Sequence, residues 1–348
     1  MKHFINFIIF LFFISTSYAQ KGSEKYAQTI TAEDLRSHLT YLASDELEGR
    51  ETGMKGQYLA ARYIADEFEK LGLQRIVPID GRMSYFQWFK VYRNDKKQRL
   101  VVAEKEPPKG YDSLSTMNVL GFLEGTDKKE EVILITAHYD HIGIDKNGQI
   151  NNGADDDGSG TSAVLEIAQA FTRAKAEGNG PRRSILFMLV AGEEKGLLGS
   201  RYFTDYDPVI PLEKINCDLN IDMIGRKDEK HSNDEYLYII GADKISTELD
   251  KICRKQNKEN LHFELDYTYN DEKDPNRFYY RSDHYNFAKN GIPVTFFFTG
   301  VHEDYHRPGD DIEKILFPKY SKITRYIFQV AWEIANRDDV LFRDVNAK

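Results

Sequence analysis

Five short clusters of acids and histidines stand after apolar runs or inside glycine-flanked loops, and their residue types suit metal binding and proton transfer. His138-Tyr139-Asp140-His141 directly follows the apolar run VILITA, residues 132–137. If that strand continues, residues 138 and 140 share a face, so Asp140 can hold the His138 imidazole in one tautomer while its other nitrogen meets a metal. Alone, such a pair is an ordinary strand-end loop. Gly153 to Gly160 reads GADDDGSG, with Asp155, Asp156 and Asp157 opening a helix. Three adjacent carboxylates repel one another unless a cation is present, and one helix N-terminus can hardly satisfy all three. After SILFMLV, residues 184–190, comes Ala191-Gly192-Glu193-Glu194-Lys195-Gly196. Two adjacent acids at the end of a buried strand diverge, so one can bind a metal while the other faces its water as a general base. Asp222 is a lone acid within the otherwise apolar stretch Ile221-Asp222-Met223-Ile224, a position that is costly unless the acid is paired or metal-bound. Asp304-Tyr305-His306-Arg307-Pro308-Gly309-Asp310 adds an imidazole and a phenol able to donate to a developing oxyanion. Arg281-Ser282-Asp283-His284 reads as material supporting a pocket.

The elements that must position these groups are legible from periodicity. VILITA and SILFMLV are apolar, β-branched runs suited to strands buried on both faces, and residues 160–174 between them read as a helix, which makes a parallel β-α-β unit. Further strands are expected at 86–103, as a pair, and at 118–123, 215–221, 236–240 and 293–298. Helical segments are expected within 32–72, broken by the polar loop SDELEGRETG, and at 320–335. Residues 226–235 and 269–281 read as loops over a site. The alternation predicts a three-layer α/β/α fold with a central, mostly parallel, mixed β-sheet. In open sheets of this kind ligands lie outside the carboxyl ends of the strands, where the clusters fall.

The chain has 348 residues, 41% hydrophobic, with a formal charge of −9. Residues 1–19 combine a basic start, an apolar run and a small-residue end, the pattern of a cleaved signal peptide, so a secreted or periplasmic location is expected, with residues 20–348 as one domain. No later run is apolar for long enough to span a bilayer, and the acidic balance gives no reason to expect nucleic acid. Cys217 and Cys253 could pair if their backbones come close enough.

Taken in order, HYD, GADDDGSG, GEEKGLLGS, DMIG, RSDH and DYHRPGD resemble the signature of the di-zinc exopeptidase family that includes secreted bacterial aminopeptidases, glutamate carboxypeptidase and glutaminyl cyclase. The match runs over roughly residues 36 to 335 and takes in SDELEGRETG; each motif is weak alone, but the ordered set is specific. The resemblance implies the zinc-exopeptidase fold and two Zn²⁺ ions, one held by His138 and Asp222, the other by Glu194 and His306, with Asp156 bridging. It further implies Glu193 as general base, Asp140 as the residue orienting His138, and Tyr305 as stabiliser of the tetrahedral intermediate. The substrate so implied is a peptide with a free N-terminus. Rival readings within the resemblance are a glutaminyl cyclase working with one zinc, and a carboxypeptidase using Arg277 and Arg281 for a substrate carboxylate. A peptidase-like binding module would have lost ligands, whereas all five are retained here.

Overall fold

The computed structural model describes residues 22–94 and 99–344. The signal-peptide reading of residues 1–19 lies outside them. Helix α1, Ala32–Leu42, starts where the Thr31 hydroxyl accepts the Asp34 N–H at 3.0 Å, with Glu33 and Asp34 in its positive first turn. The SDELEGRETG segment then turns sharply, with left-handed backbone at Glu48, Gly49 and Arg50, before helix α2, Lys55–Lys70.

Strands β1, Val77–Ile79, and β2, Arg82–Ser84, form a small separate hairpin. The main sheet begins with β3, Phe86–Asn94, β4, Arg99–Val102, and β5, Ser113–Leu123. It continues with β6, Lys128–His138, helix α3, Gly160–Ala176, and β7, Arg183–Val190. Helix α4, Leu198–Asp205, leads to β8, Ile215–Ile221, and β9, Tyr236–Ile240, and helix α5, Thr247–Gln256, to β10, Glu264–Asp266. Helix α6, His284–Ala288, β11, Val294–Phe298, and helix α7, Phe317–Asn336, complete the described chain.

The strand order is β10-β9-β11-β8-β6-β7-β5-β3-β4. The four neighbours β11, β8, β6 and β7 run parallel, while β5, β3, β4 and the β9–β11 pair join antiparallel, so the mixed sheet has a parallel centre. Alternation within the apolar runs divides the core between two faces. Ile133, Ile135, Ile185 and Phe187 pack with Leu35, Ile64, Val164 and Ile327 from α1, α2, α3 and α7, whereas Val132, Leu134, Leu186 and Met188 pack with Phe203 and Phe287 from α4 and α6. Helices therefore cover both faces, and the three-layer α/β/α expectation holds. The expected strands and helices all appear, but the hairpin of residues 77–84, β10 and the short helices α4 and α6 carry too few residues to announce themselves by period.

Cys217 on β8 and Cys253 on α5 are free, buried thiols, and burial pushes the Cys253 thiol up to about 12. They take the role of small core residues rather than a bridge. No helix among the described residues is long and apolar enough to cross a membrane.

Candidate metal centre

All four parallel strands at the centre of the sheet deliver chemistry at their carboxyl ends. His138 is the last residue of β6, Glu193 and Glu194 follow β7, Asp222 follows β8, and Tyr305 and His306 lie in the loop after β11. Asp156 comes from the irregular turn that opens α3, where its own backbone is non-helical.

Asp156 sits at the middle of the group. Its Oδ1 is 3.2 Å from His138 Nε2 and its Oδ2 is 3.2 Å from His306 Nε2. On one side Asp222 Oδ1 lies 3.6 Å from His138 Nε2; on the other, Glu194 Oε2 lies 3.1 Å from His306 Nε2. The five residues expected to hold metal are thus brought together. Glu193 comes within 3.9 Å of His138 Nε2, and the Tyr305 ring stacks on His306 at 3.8 Å between centroids.

Asp222, His138 and Glu193 are braced from behind. Asp222 Oδ2 accepts the Ser282 hydroxyl at 2.7 Å, and Ser282 in turn receives Asn220 Nδ2 at 2.9 Å, so the RSDH motif does support the site. Asp140 acts differently from the expectation. His138 Nδ1 is 3.1 Å from the main-chain oxygen of Asp140 but 3.9 Å from its carboxylate, so the carbonyl fixes the imidazole. The Asp140 carboxylate instead accepts the Thr52 hydroxyl at 2.6 Å and the Glu193 N–H at 3.1 Å, tying the general-base candidate to the β6 end.

The three consecutive aspartates also part company. Asp156 is the one that pairs with both His138 and His306; Asp155 accepts the Gly225 N–H at 2.6 Å, and Asp157 accepts those of His138, Gly160 and Met223 at 3.2, 2.8 and 3.2 Å. Main-chain donors from three segments thus hold both oxygens of Asp157 and one oxygen of Asp155, whose other oxygen lies 3.4 Å from His302 Nε2. Asp157→Ala should strand three buried N–H groups at the junction of β6, α3 and the β8 end, a loss on the order of 3 kcal/mol or more. A denaturant titration of the metal-free protein measures it, and an unchanged midpoint would contradict this role.

His141, to which the sequence assigns no role, also joins the cluster. Its Nδ1 lies 2.8 Å from Glu194 Oε1 and 3.8 Å from Asp156 Oδ2, and its Nε2 is buried without a partner. The signal was its place three residues after His138 in the same cluster. Among the described residues, two groups have ligating atoms within 4.8 Å of one another: His138 with Asp157 and Asp222, and His141 with Asp156 and Glu194. Because both oxygens of Asp157 already serve N–H donors, Asp156 is the freer acid beside His138.

The donor set fits metal ions. Asp156 Oδ2, though near His306, is a buried acceptor without a hydrogen bond, and imidazole with carboxylate suits zinc. The adjacent acids are driven apart electrostatically. Burial, reinforced by Glu194, Asp283 and Asp222 against His138, holds the Glu193 carboxyl well above its ordinary range. Burial and Asp156 also act to raise Glu194, but the His141 and His306 imidazoles outweigh them and bring it down to about 2. The two neighbouring carboxyls are thus shifted in opposite directions by their surroundings. A narrow cleft opens over these groups, walled by Met223, Phe278, Phe296, Phe298 and Val301, with Arg281 and Tyr305 on its rim.

The chain is similar to known proteins both in sequence and in fold. Aminopeptidase YwaD of Bacillus subtilis (strain 168) is 29% identical over 215 residues, which are 60% of this chain and 42% of that protein. The chain thus spans less than half the length of this curated relative. In three dimensions the chain is similar to BSAP, a zinc aminopeptidase from Bacillus subtilis, with a TM-score of 0.63 at 18% identity over 91% of this chain and 99% of that one. It is equally similar to a glutaminyl cyclase from Bacteroides thetaiotaomicron, TM-score 0.63 at 16% identity over 87% and 98%. These two likenesses speak for the fold alone. Residues 118–331 match the model of peptidase family M28, a stretch that holds every acid and histidine of the cluster from His138 to His306. The chain belongs to peptidase family M28.

Proposed function

We propose that the chain is an exported, metal-dependent aminopeptidase that removes single residues from the N-terminal end of peptides, with residues 1–19 as its signal peptide and residues 20–348 as one catalytic unit. The observation that carries the reading is Asp156, whose two oxygens meet His138 and His306 on opposite sides at 3.2 Å each. With Asp222 beside His138 and Glu194 beside His306, one zinc would be held by His138 and Asp222 and a second by Glu194 and His306, with Asp156 within reach of both. His141, close to Glu194, adds a donor to the second position.

Bound zinc would supply a water of lowered pKa and polarise the scissile carbonyl. Glu193, held up by burial, takes the proton on its carboxylate and later passes it to the leaving amine. Asp140 keeps Glu193 in place through its main-chain N–H. Burial keeps the Tyr305 phenol protonated, and Arg281 Nη2, 3.4 Å from the phenol oxygen, donates to it, leaving the Tyr305 proton free for the substrate oxygen that gains charge. The acids of the cleft floor suit a substrate ammonium, while Phe278, Phe296, Phe298 and Met223 suit an apolar terminal side chain.

Similarity to YwaD supports aminopeptidase action over cyclisation, which the fold does not separate. The test is a panel of aminoacyl chromogenic substrates with chelator and zinc add-back. Leucyl and phenylalanyl substrates should turn over at least tenfold faster than glutamyl or lysyl ones, and chelation should abolish turnover reversibly. Ammonia release from an N-terminal glutamine peptide, without loss of a residue, would replace this reading with the cyclase. Arg281 on the cleft rim favours a second reading, recognition of a C-terminal carboxylate, and cleavage of N-acetylated peptides would establish it.

A further inference from the structure

Arg50 lies outside the stretch that matches the family and outside the cluster of acids and histidines, yet it is only 1% exposed. A buried guanidinium is normally met by carboxylates. Here its hydrogen bonds go to main-chain oxygens: Nε to Tyr139 at 2.8 Å, Nη1 to Asn152 at 2.7 Å and to Leu42, and Nη2 to Gly153 at 2.9 Å. Tyr139 is the residue after His138, and Gly153 begins the turn that presents Asp156. One rigid fork therefore spans the two segments that carry His138 and Asp156, and anchors both to the end of α1.

The backbone around Arg50 makes the same connection. The Arg50 oxygen accepts the His141 N–H at 3.2 Å, the Gly49 oxygen accepts the Gly143 N–H at 3.0 Å, and Glu51 bridges to His141 in parallel register. Gly49, at φ +67°, passes so close that a Cβ there would stand 2.4 Å from the Asn151 oxygen and 2.7 Å from that of Gly143. Thr52 ends the segment on the Asp140 carboxylate, and Asp140 carries the Glu193 N–H. The positive charge of Arg50 is left over, because carbonyls do not cancel it. The nearby acids Asp156, Asp157, Asp310 and Asp140 are the groups that feel it.

We infer that residues 49–52 are a strut that presets the metal centre, with Arg50 as a positioning residue that fixes the spacing of the His138 and Asp156 segments before any ion binds. The inference rests on the two-metal reading above. A strut of this kind raises metal affinity by removing the cost of arranging the ligands, as preorganised sites do generally. It touches neither substrate nor ion.

The test measures zinc affinity by competition with a chromogenic chelator, together with melting of the zinc-free protein, for the unmodified chain, Arg50→Lys, Arg50→Gln and Thr52→Val. Zinc binding by the unmodified chain is read first: its absence would sink the metal-centre reading and this inference with it. Given that binding, Arg50→Gln should weaken zinc at least tenfold, Arg50→Lys should recover part of the loss, and Thr52→Val, which removes one hydroxyl at constant shape, should weaken it severalfold. Variants that melt at lower temperature but bind zinc as tightly as the unmodified chain would reduce the segment to scaffolding and overturn the inference alone. If the Arg50 variants do not fold, Thr52→Val decides by the same readout.

Discussion

Glu193→Gln is expected to keep its full zinc content and to lose roughly 10³-fold in kcat, the scale at which a positioned general base contributes. The substitution preserves shape and leaves the main-chain N–H that Asp140 holds, so the loop from β7 stays in place. It removes only the carboxyl that burial, with Glu194, Asp283 and Asp222, makes basic. Its neighbour supplies the contrast. Glu194→Gln replaces the acid that His141 and His306 share, at 2.8 and 3.1 Å, and should therefore lose metal as well as turnover. Metal analysis beside steady-state kinetics separates the two. A Glu193→Gln protein that retained a tenth of the activity would remove this residue from the proton-transfer step, whatever the fate of the metals.

The positions of these acids were legible in sequence because buried parallel strands read as unbroken apolar runs, and the residues just beyond such runs have one place to go. VILITA and SILFMLV place His138, Glu193 and Glu194 at strand ends, and only the ordered set of motifs gives those positions a role. What periodicity does not encode is direction inside irregular backbone. Asp155, Asp156 and Asp157 are chemically identical and adjacent, and the turn that separates their roles has non-helical angles at the second and third. Only partners distant in sequence, Gly225 for Asp155 and Met223 for Asp157, determine which carboxylate remains for the site. Asp140 meets the expected imidazole through its main-chain oxygen, because spacing cannot distinguish a side-chain oxygen from a main-chain one. Arg50 was invisible for the same reason: its acceptors are carbonyls of residues 139, 152 and 153, and a carbonyl has no residue type to read.

On the two-zinc reading, Asp156→Ala should abolish activity and reduce bound zinc from two ions to at most one, since it is the acid that the His138 and His306 imidazoles share. Asp156→Asn should be less symmetrical. Its amide keeps one acceptor and turns a donor toward the other imidazole, so one position weakens far more than its partner. Neither change should unfold the chain, because the turn does not depend on the Asp156 side chain. Asp310 accepts the N–H groups of Asp155 and Asp156 at 3.0 Å each, and Asp157 holds the three segments behind them. The metal-free protein supplies an independent check on charge. There Asp156 is raised by burial but drawn well below its ordinary range by His138 and His306, so its contribution to stability is present above the ordinary carboxylate pKa and fades as the pH falls through the lowered value. The stability difference between metal-free Asp156→Ala and the unmodified chain should accordingly be larger at pH 6 than at pH 3. An Asp156→Ala protein that still bound two zinc ions with undiminished affinity would show that the two imidazoles belong to separate sites, and the shared-carboxylate centre would have to be abandoned.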